Sequence, residues 1–177
     1  MKNIFYLIIF IVCITNSCKK DPLDKYYWGE ASATKNGNTS WKVKTKYVDN
    51  KPNGQGIDIF FDLYNDQKHL RENLFFYKIN NSIGVNNIKI QASSSTEANP
   101  GVFYSTLLDD GDVAGDSFSL LEGKIENKLT IDKKKGDEIW GTFQVALLKN
   151  KNFTASDPTA PDTIIFTNGK FHTKLIQ

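Results

Sequence analysis

Cysteine and histidine are scarce, with two of each in 177 residues. That supply cannot furnish a Cys-rich zinc site or a disulfide framework. Neither sign of charge is in excess. Lysine plus arginine number 22 against 20 acidic residues, a net charge of +2, which excludes a nucleic-acid reader working through a basic surface. Long apolar runs are also missing. The longest, Ile4–Ile14, has eleven residues; as a helix it would span roughly 16 Å, against a bilayer core of about 30 Å. No phosphate-binding Walker loop, no Gly-x-Gly-x-x-Gly, no His-Glu-x-x-His and no Gly-x-Ser-x-Gly elbow occurs. His69 and His172 lie in separate segments. No repeat of fixed period and no useful amphipathic helix is visible. With no signature of catalysis in the chain, the expectation is a protein that is not an enzyme. What is present is enough for a core: 40% hydrophobic and 12% aromatic residues, in a length typical of one domain.

The amino-terminal segment carries an address. Lys2 supplies a short positive region, and Ile4–Ile14 has the length of a signal-peptide apolar region. Thr15, Asn16 and Ser17 are small or polar, and Cys18 follows. This arrangement resembles a bacterial lipoprotein signal, in which a small residue immediately precedes a cysteine. Thr15 stands where that family usually carries Leu. The resemblance implies that the Cys18 thiol takes a diacylglyceryl group, that the signal is cut between Ser17 and Cys18, and that the new amine is acylated, for instance with palmitate. A thiolate is the side chain nucleophilic enough for that thioether. Cys13 would leave with the signal, so the mature chain would hold one lipidated cysteine and no disulfide. The covalent lipid on Cys18 is the one prosthetic group expected.

Residues 18–27 read as a tether, polar and interrupted by Pro22. The Cys-Lys-Lys-Asp start resembles mature lipoproteins of the Bacteroidetes type, in which charged residues after the cysteine direct the protein to the outer-membrane surface. Lys20 and Asp21 match such a pattern and Pro22-Leu23 interrupts it, so the periplasmic or surface face is left open.

From residue 28 to 177 the chain reads as one all-β domain. In Thr39–Val48, Trp41, Val43, Thr45 and Tyr47 alternate with Lys42, Lys44 and Lys46. Period two puts aromatic and lysine residues on opposite faces. Asn36-Gly37 joins this strand to Trp28–Lys35, because both residues tolerate positive φ. Ile57–Tyr64 alternates likewise, and Ile139–Leu148 gathers Ile139, Phe143, Val145 and Leu147 on one face. Further strands are expected over Leu74–Ile79, Asn87–Ala92, Val102–Leu108, Ser117–Leu121, Lys128–Lys133 and Thr163–Leu175. One helical turn is compatible with Asn65–Asn73, where Lys68 and Glu72 are four apart. About ten short strands predict an antiparallel β-sandwich or a partly open barrel. Trp41, Val43, Phe61, Leu63, Phe143, Val145 and Leu147 form the expected core. Ala33-x-x-Asn36-Gly37-x-x-x-Trp41, Arg71-Glu72-Asn73-Leu74, Gly141-Thr142-Phe143 and Phe166-Thr167-Asn168-Gly169-x-Phe171 together resemble an all-β domain of unknown function found in Bacteroidetes-type lipoproteins. The resemblance implies the fold and the address, and no catalytic residues.

Three clusters are candidate sites. Phe60 and Tyr64 share a strand face with Asp58 and Asp62, a set able to stack on and hydrogen-bond a sugar, or to line an apolar pocket. The Lys42/Lys44/Lys46 stripe is a candidate for anionic glycan or lipid headgroup, or simply a solvated sheet face. Asp110, Asp112 and Asp116 sit in the densest acidic loop, but Ala114 and Leu121 occupy positions where a calcium loop needs oxygen ligands; no metal is expected there. The functional expectation is a non-enzymatic binding or accessory module, lipid-anchored to the outer membrane of a cell envelope. Its partner would be a glycan, a small apolar ligand or an envelope protein, and no nucleic acid. The alternatives are a barrel carrying a small apolar ligand and, more weakly, a hydrolase of envelope polymers.

Overall fold

The computed structural model describes residues 26–49, 56–90, 99–108, 111–152 and 157–176. Ser17, Cys18, the tether up to Lys25, and Asp110 lie outside the described residues. The described chain is all-β and antiparallel, in ten strands: β1 (Gly29–Lys35), β2 (Thr39–Asp49), β3 (Ile57–Tyr64), β4 (Leu70–Ile79), β5 (Gly84–Asn87), β6 (Gly101–Leu108), β7 (Val113–Leu120), β8 (Lys128–Lys135), β9 (Glu138–Lys149) and β10 (Thr163–Lys174).

The expectation of a sandwich or a partly open barrel is met in its all-β antiparallel class, but the barrel is closed. The strands run in the order β10-β1-β2-β3-β4-β6-β7-β9, and β9 pairs back onto β10 to close the circuit. The long β9 divides its other edge. Leu147–Lys149 pairs with β7, while Glu138–Gln144 pairs with β8, which in turn carries β5. Beyond the first residue of β1, Tyr47 and Leu175 form a parallel bridge that joins β2 directly to the chain after β10.

Alternation decides what fills the barrel. The inward positions of β2 and β3 are Trp41, Val43, Thr45, Tyr47, Ile57, Ile59 and Phe61, all buried, while Lys42, Lys44 and Lys46 face out. Phe61 is central: its ring stacks on Phe143 at 4.9 Å and meets Phe76 and Phe171 at 5.8 and 5.6 Å. Trp41 lies 4.6 Å from Phe166, which lies 5.6 Å from Tyr104. An eight-stranded barrel leaves room for its own side chains or for one small ligand; these rings occupy the interior. Of the expected core, Trp41, Val43, Phe61, Phe143, Val145 and Leu147 are buried, and Leu63 packs at the core's margin.

Glycine and asparagine set the local geometry. Asn36 and Gly37 adopt φ 52° and 81° in the hairpin loop between Lys35 and Thr39. Asn168 (φ 53°) and Gly169 form a bulge inside β10, where the pairing shifts between Phe166 and Gly169. A Cβ on Gly169 would stand 2.5 Å from the Phe143 carbonyl oxygen, so the bulge requires glycine there.

Two segments differ from expectation. Leu70–Asn73 is the start of β4, paired with β3, and not a helical turn; the cross-strand hydrogen bonds outweigh the single i,i+4 pair. The fifth strand lies at Gly84–Asn87; of the expected strand Asn87–Ala92, residues 88–90 are not in a strand, and Gln91 and Ala92 lie outside the described residues. There the Asn86 side-chain oxygen accepts the Asn80 N–H at 2.8 Å and folds the connection back early.

Candidate functional site

An open trough of about 730 Å³ lies on the outer face of β10, β1, β2 and β3. Sheet register lays out its floor. In one row Lys170 of β10, Ser32 of β1 and Lys42 of β2 are direct cross-strand neighbours; in the next, His172, Glu30, Lys44 and Asp62 succeed one another. Tyr64, Asn65 and the exposed Asp66 and Lys68 form the lip at the β3–β4 turn. Lys44 stands 3.6 Å from Glu30. At the β10 end His172 Nε2 hydrogen-bonds to the Glu138 carboxylate at 2.9 Å, the ring stacks on Trp140 at 4.1 Å and it packs edge-to-face with the exposed Trp28.

Two of the four aromatic and acidic residues singled out in Ile57–Tyr64 line this trough, Asp62 and Tyr64. Their environment was not legible in the sequence. Tyr27, which reads as part of the tether, is buried against the outer face of the barrel at 7% exposure. Its hydroxyl donates to Asp62 at 2.5 Å and receives the Tyr64 hydroxyl at 2.8 Å, while Asn73 donates to the other Asp62 oxygen. Burial pushes the Asp62 carboxyl above the usual range, partly offset by the Tyr27 and Asn73 hydrogen bonds and by Lys46. Burial, then the adjacent Asp62 charge, pushes the Tyr27 hydroxyl strongly upward, so Tyr27 stays a proton donor. These bonds clamp the entry of the chain onto β3 and β4.

The other two residues take different places. Phe60 stacks on Phe75 at 4.6 Å, and Phe75 meets Tyr77 at 5.7 Å. Phe103, at the edge of exposure, pairs with Phe75 across β4 and β6. This aromatic strip continues the outer face beyond the trough. Asp58 accepts the Lys78 backbone N–H at 3.0 Å and supports that residue's positive φ. The lysine stripe is also divided: Lys46 lies over the rings of Tyr27 and Phe60 at 4.5 and 5.3 Å, whereas Lys42 is exposed in the trough.

A second constellation was missed altogether. Glu72 points into one end of the barrel, where Lys35 donates to it at 2.9 Å and the Trp41 indole N–H at 2.7 Å. Lys35 also donates to the Tyr104 hydroxyl at 2.8 Å. A cleft of about 310 Å³ opens beside this network, lined by Lys35, Tyr104, Thr106, Asp116 and Phe118 among others. Arg71-Glu72-Asn73 carries no signal of which residue turns inward until Leu74 and Phe76 fix the phase of β4.

Asp116 does not belong to an acidic metal loop. It is buried and forms an ion pair with the equally buried Lys149 at 2.9 Å, and it accepts the Asp157 N–H at 3.0 Å. Asp112 is exposed, and no group of three metal-ligating side chains occurs among the described residues. No helix among the described residues is long and apolar enough to cross a membrane.

No family profile, curated protein or solved structure matches the chain. Fold and site geometry define a closed β-barrel whose shape is compatible with a binding or carrier role.

Proposed function

We propose that this protein is a lipid-anchored binding module of the bacterial cell envelope, and that the trough on its outer face is the binding surface. The observation that carries the reading is the division of labour between the two faces of the sheet. Stacked aromatic rings occupy the interior around Phe61. The outer face instead offers an open concavity of about 730 Å³, rimmed by Tyr64 and His172 and floored by Ser32 and lysines. A carrier of an apolar ligand needs space inside the barrel; a module that binds an external partner needs the concavity outside. Polar residues such as Asp62 are held by structural hydrogen bonds, which favours binding over hydrolysis.

The anchor rests on sequence. Ser17-Cys18 after the apolar run supports lipidation of Cys18, and an acyl set of two or more chains holds a protein stably on a bilayer. The seven residues from Lys19 to Lys25 would keep the barrel within about 30 Å of the headgroups at full extension. The test has two arms. Mass spectrometry of the purified amino terminus should find Cys18 as the first residue carrying acyl chains, and Cys18→Ser should lose membrane association. An unmodified Cys18 would remove the anchor. An apolar reporter such as N-phenylnaphthylamine should gain no fluorescence with the protein; strong saturable enhancement would favour the carrier reading.

A further inference from the structure

We infer that the trough takes an acidic polysaccharide, with one anionic group held over Ser32 between Lys42 and Lys170; this rests on the binding-module reading above. Ser32 is flanked by Lys42 on one side and Lys170 on the other as direct cross-strand partners. Neighbouring strands are about 4.8 Å apart, so the two lysine backbones are roughly 10 Å apart with a small hydroxyl between them. Both lysines are exposed. Unlike Lys44, Lys46 and Lys149, neither has an ion-pair or ring partner among the described residues. Like charges this near each other repel, and an anion between them relieves that repulsion while accepting the Ser32 hydroxyl.

The bulge at Asn168–Gly169 supports the assignment. Without it the β10 register would place another residue opposite Ser32; with it, Lys170 is the partner. Bulges characteristically re-aim one side chain in this way. The acidic groups of the trough lie away from this row. Glu30 is two residues along β1 and beside Lys44, Asp62 is buried under Tyr27, and Asp66 sits at the outer lip.

A saccharide fits better than an isolated phosphate or a lipid headgroup because aromatic side chains flank the trough at its β3 and β10 edges. Tyr64 rises from β3, and His172, backed by Trp140 and Trp28, rises from β10. Sugar rings pack against such side chains, the exposed Trp28 among them, while their acidic groups meet lysine. The open trough crosses four strands, the shape for a chain lying across the surface.

The experiment is a titration of the detergent-solubilised full chain, followed by amide NMR and calorimetry. Its probes are a uronic-acid oligosaccharide, a sulfated oligosaccharide, a neutral oligosaccharide of equal length, and phosphatidylglycerol-containing vesicles. The acidic oligosaccharides should shift the amides of Ser32, Lys42 and Lys170. Binding should weaken as salt rises. Lys42→Gln with Lys170→Gln should lower the affinity roughly tenfold, while Lys46→Gln should leave it unchanged. Unaltered near-ultraviolet dichroism will show that the double variant is folded. Acidic-oligosaccharide binding indifferent to the double variant would overturn the assignment. So would vesicle binding that depends on Lys42 and Lys170 in place of glycan binding. Equal binding of the neutral oligosaccharide at the same amides would remove the anionic class and keep the trough as the binding surface. No trough amide shift with any probe would remove both.

Discussion

Phe143→Ala tests the packing that defines the barrel interior. The Phe143 ring is stacked on Phe61 at 4.9 Å, lies 5.7 Å from Phe76 and 6.5 Å from Trp41, and is 3% exposed. Truncation removes a buried ring from the middle of a mutually packed set drawn from β2, β3, β4 and β9. Buried Phe→Ala changes cost about 3–5 kcal/mol through lost transfer energy and the cavity left behind. Because Phe61 loses its stacking partner, which adds about 0.5–1.5 kcal/mol per pair, the upper half of that range is expected. With a urea slope of about 2 kcal/mol per molar, the midpoint should fall by roughly 2 M. Leu148 is the internal control: it belongs to the same strand, faces outward, and is 43% exposed. Leu148→Ala should move the midpoint by a quarter of that or less. Equal midpoints for Phe143→Ala and wild type at equal slope would refute the inward assignment of Phe143. A larger loss at Leu148 would invert the register of β9.

Asp62→Asn should change how stability depends on pH. A carboxyl whose folded pKa is raised binds its proton more tightly in the native state. The Asp62 contribution to stability is therefore fully present at acid pH and is lost as pH rises from the ordinary carboxylate value through the raised one. Urea melts between about pH 3 and pH 7 should show that this part of the decline is absent in the variant; identical pH profiles would contradict the buried setting of Asp62. Tyr27→Phe removes the donor to Asp62 and leaves a buried carboxylate oxygen without it, at a cost of about 1–3 kcal/mol. The same variant should make the segment around Tyr26 and Trp28 more sensitive to chymotrypsin, and unchanged cleavage would count against the clamp.

How much was legible from sequence alone follows from what each signal measures. Alternation of period two is local, so it reported correctly that Trp41, Val43, Phe61, Phe143, Val145 and Leu147 share inward faces and that the lysines of β2 face out. Turn chemistry is local as well: Asn36-Gly37 marked the first hairpin because only certain residues tolerate positive φ. The all-β class and its near-ten strands follow from those two signals. Closure does not, because it depends on β9 meeting β10 along one edge and dividing the other between β7 and β8, a sum of twist and register over many strands. Nor does the sequence tell which outward residues become neighbours. Ser32, Lys42 and Lys170 are far apart in the chain, and the bulge at Asn168–Gly169 decides that they share a row. Asp58, Phe60, Asp62 and Tyr64 looked equivalent on one strand face. Tertiary structure separated them by bringing Tyr27 over Asp62, Phe75 onto Phe60 and the Lys78 backbone to Asp58. The pairing of Asp116 with Lys149 and of Glu72 with Lys35 was equally invisible. A charge shows in a sequence only as a charge, and the partner that permits its burial is set by strands brought together when the barrel closes.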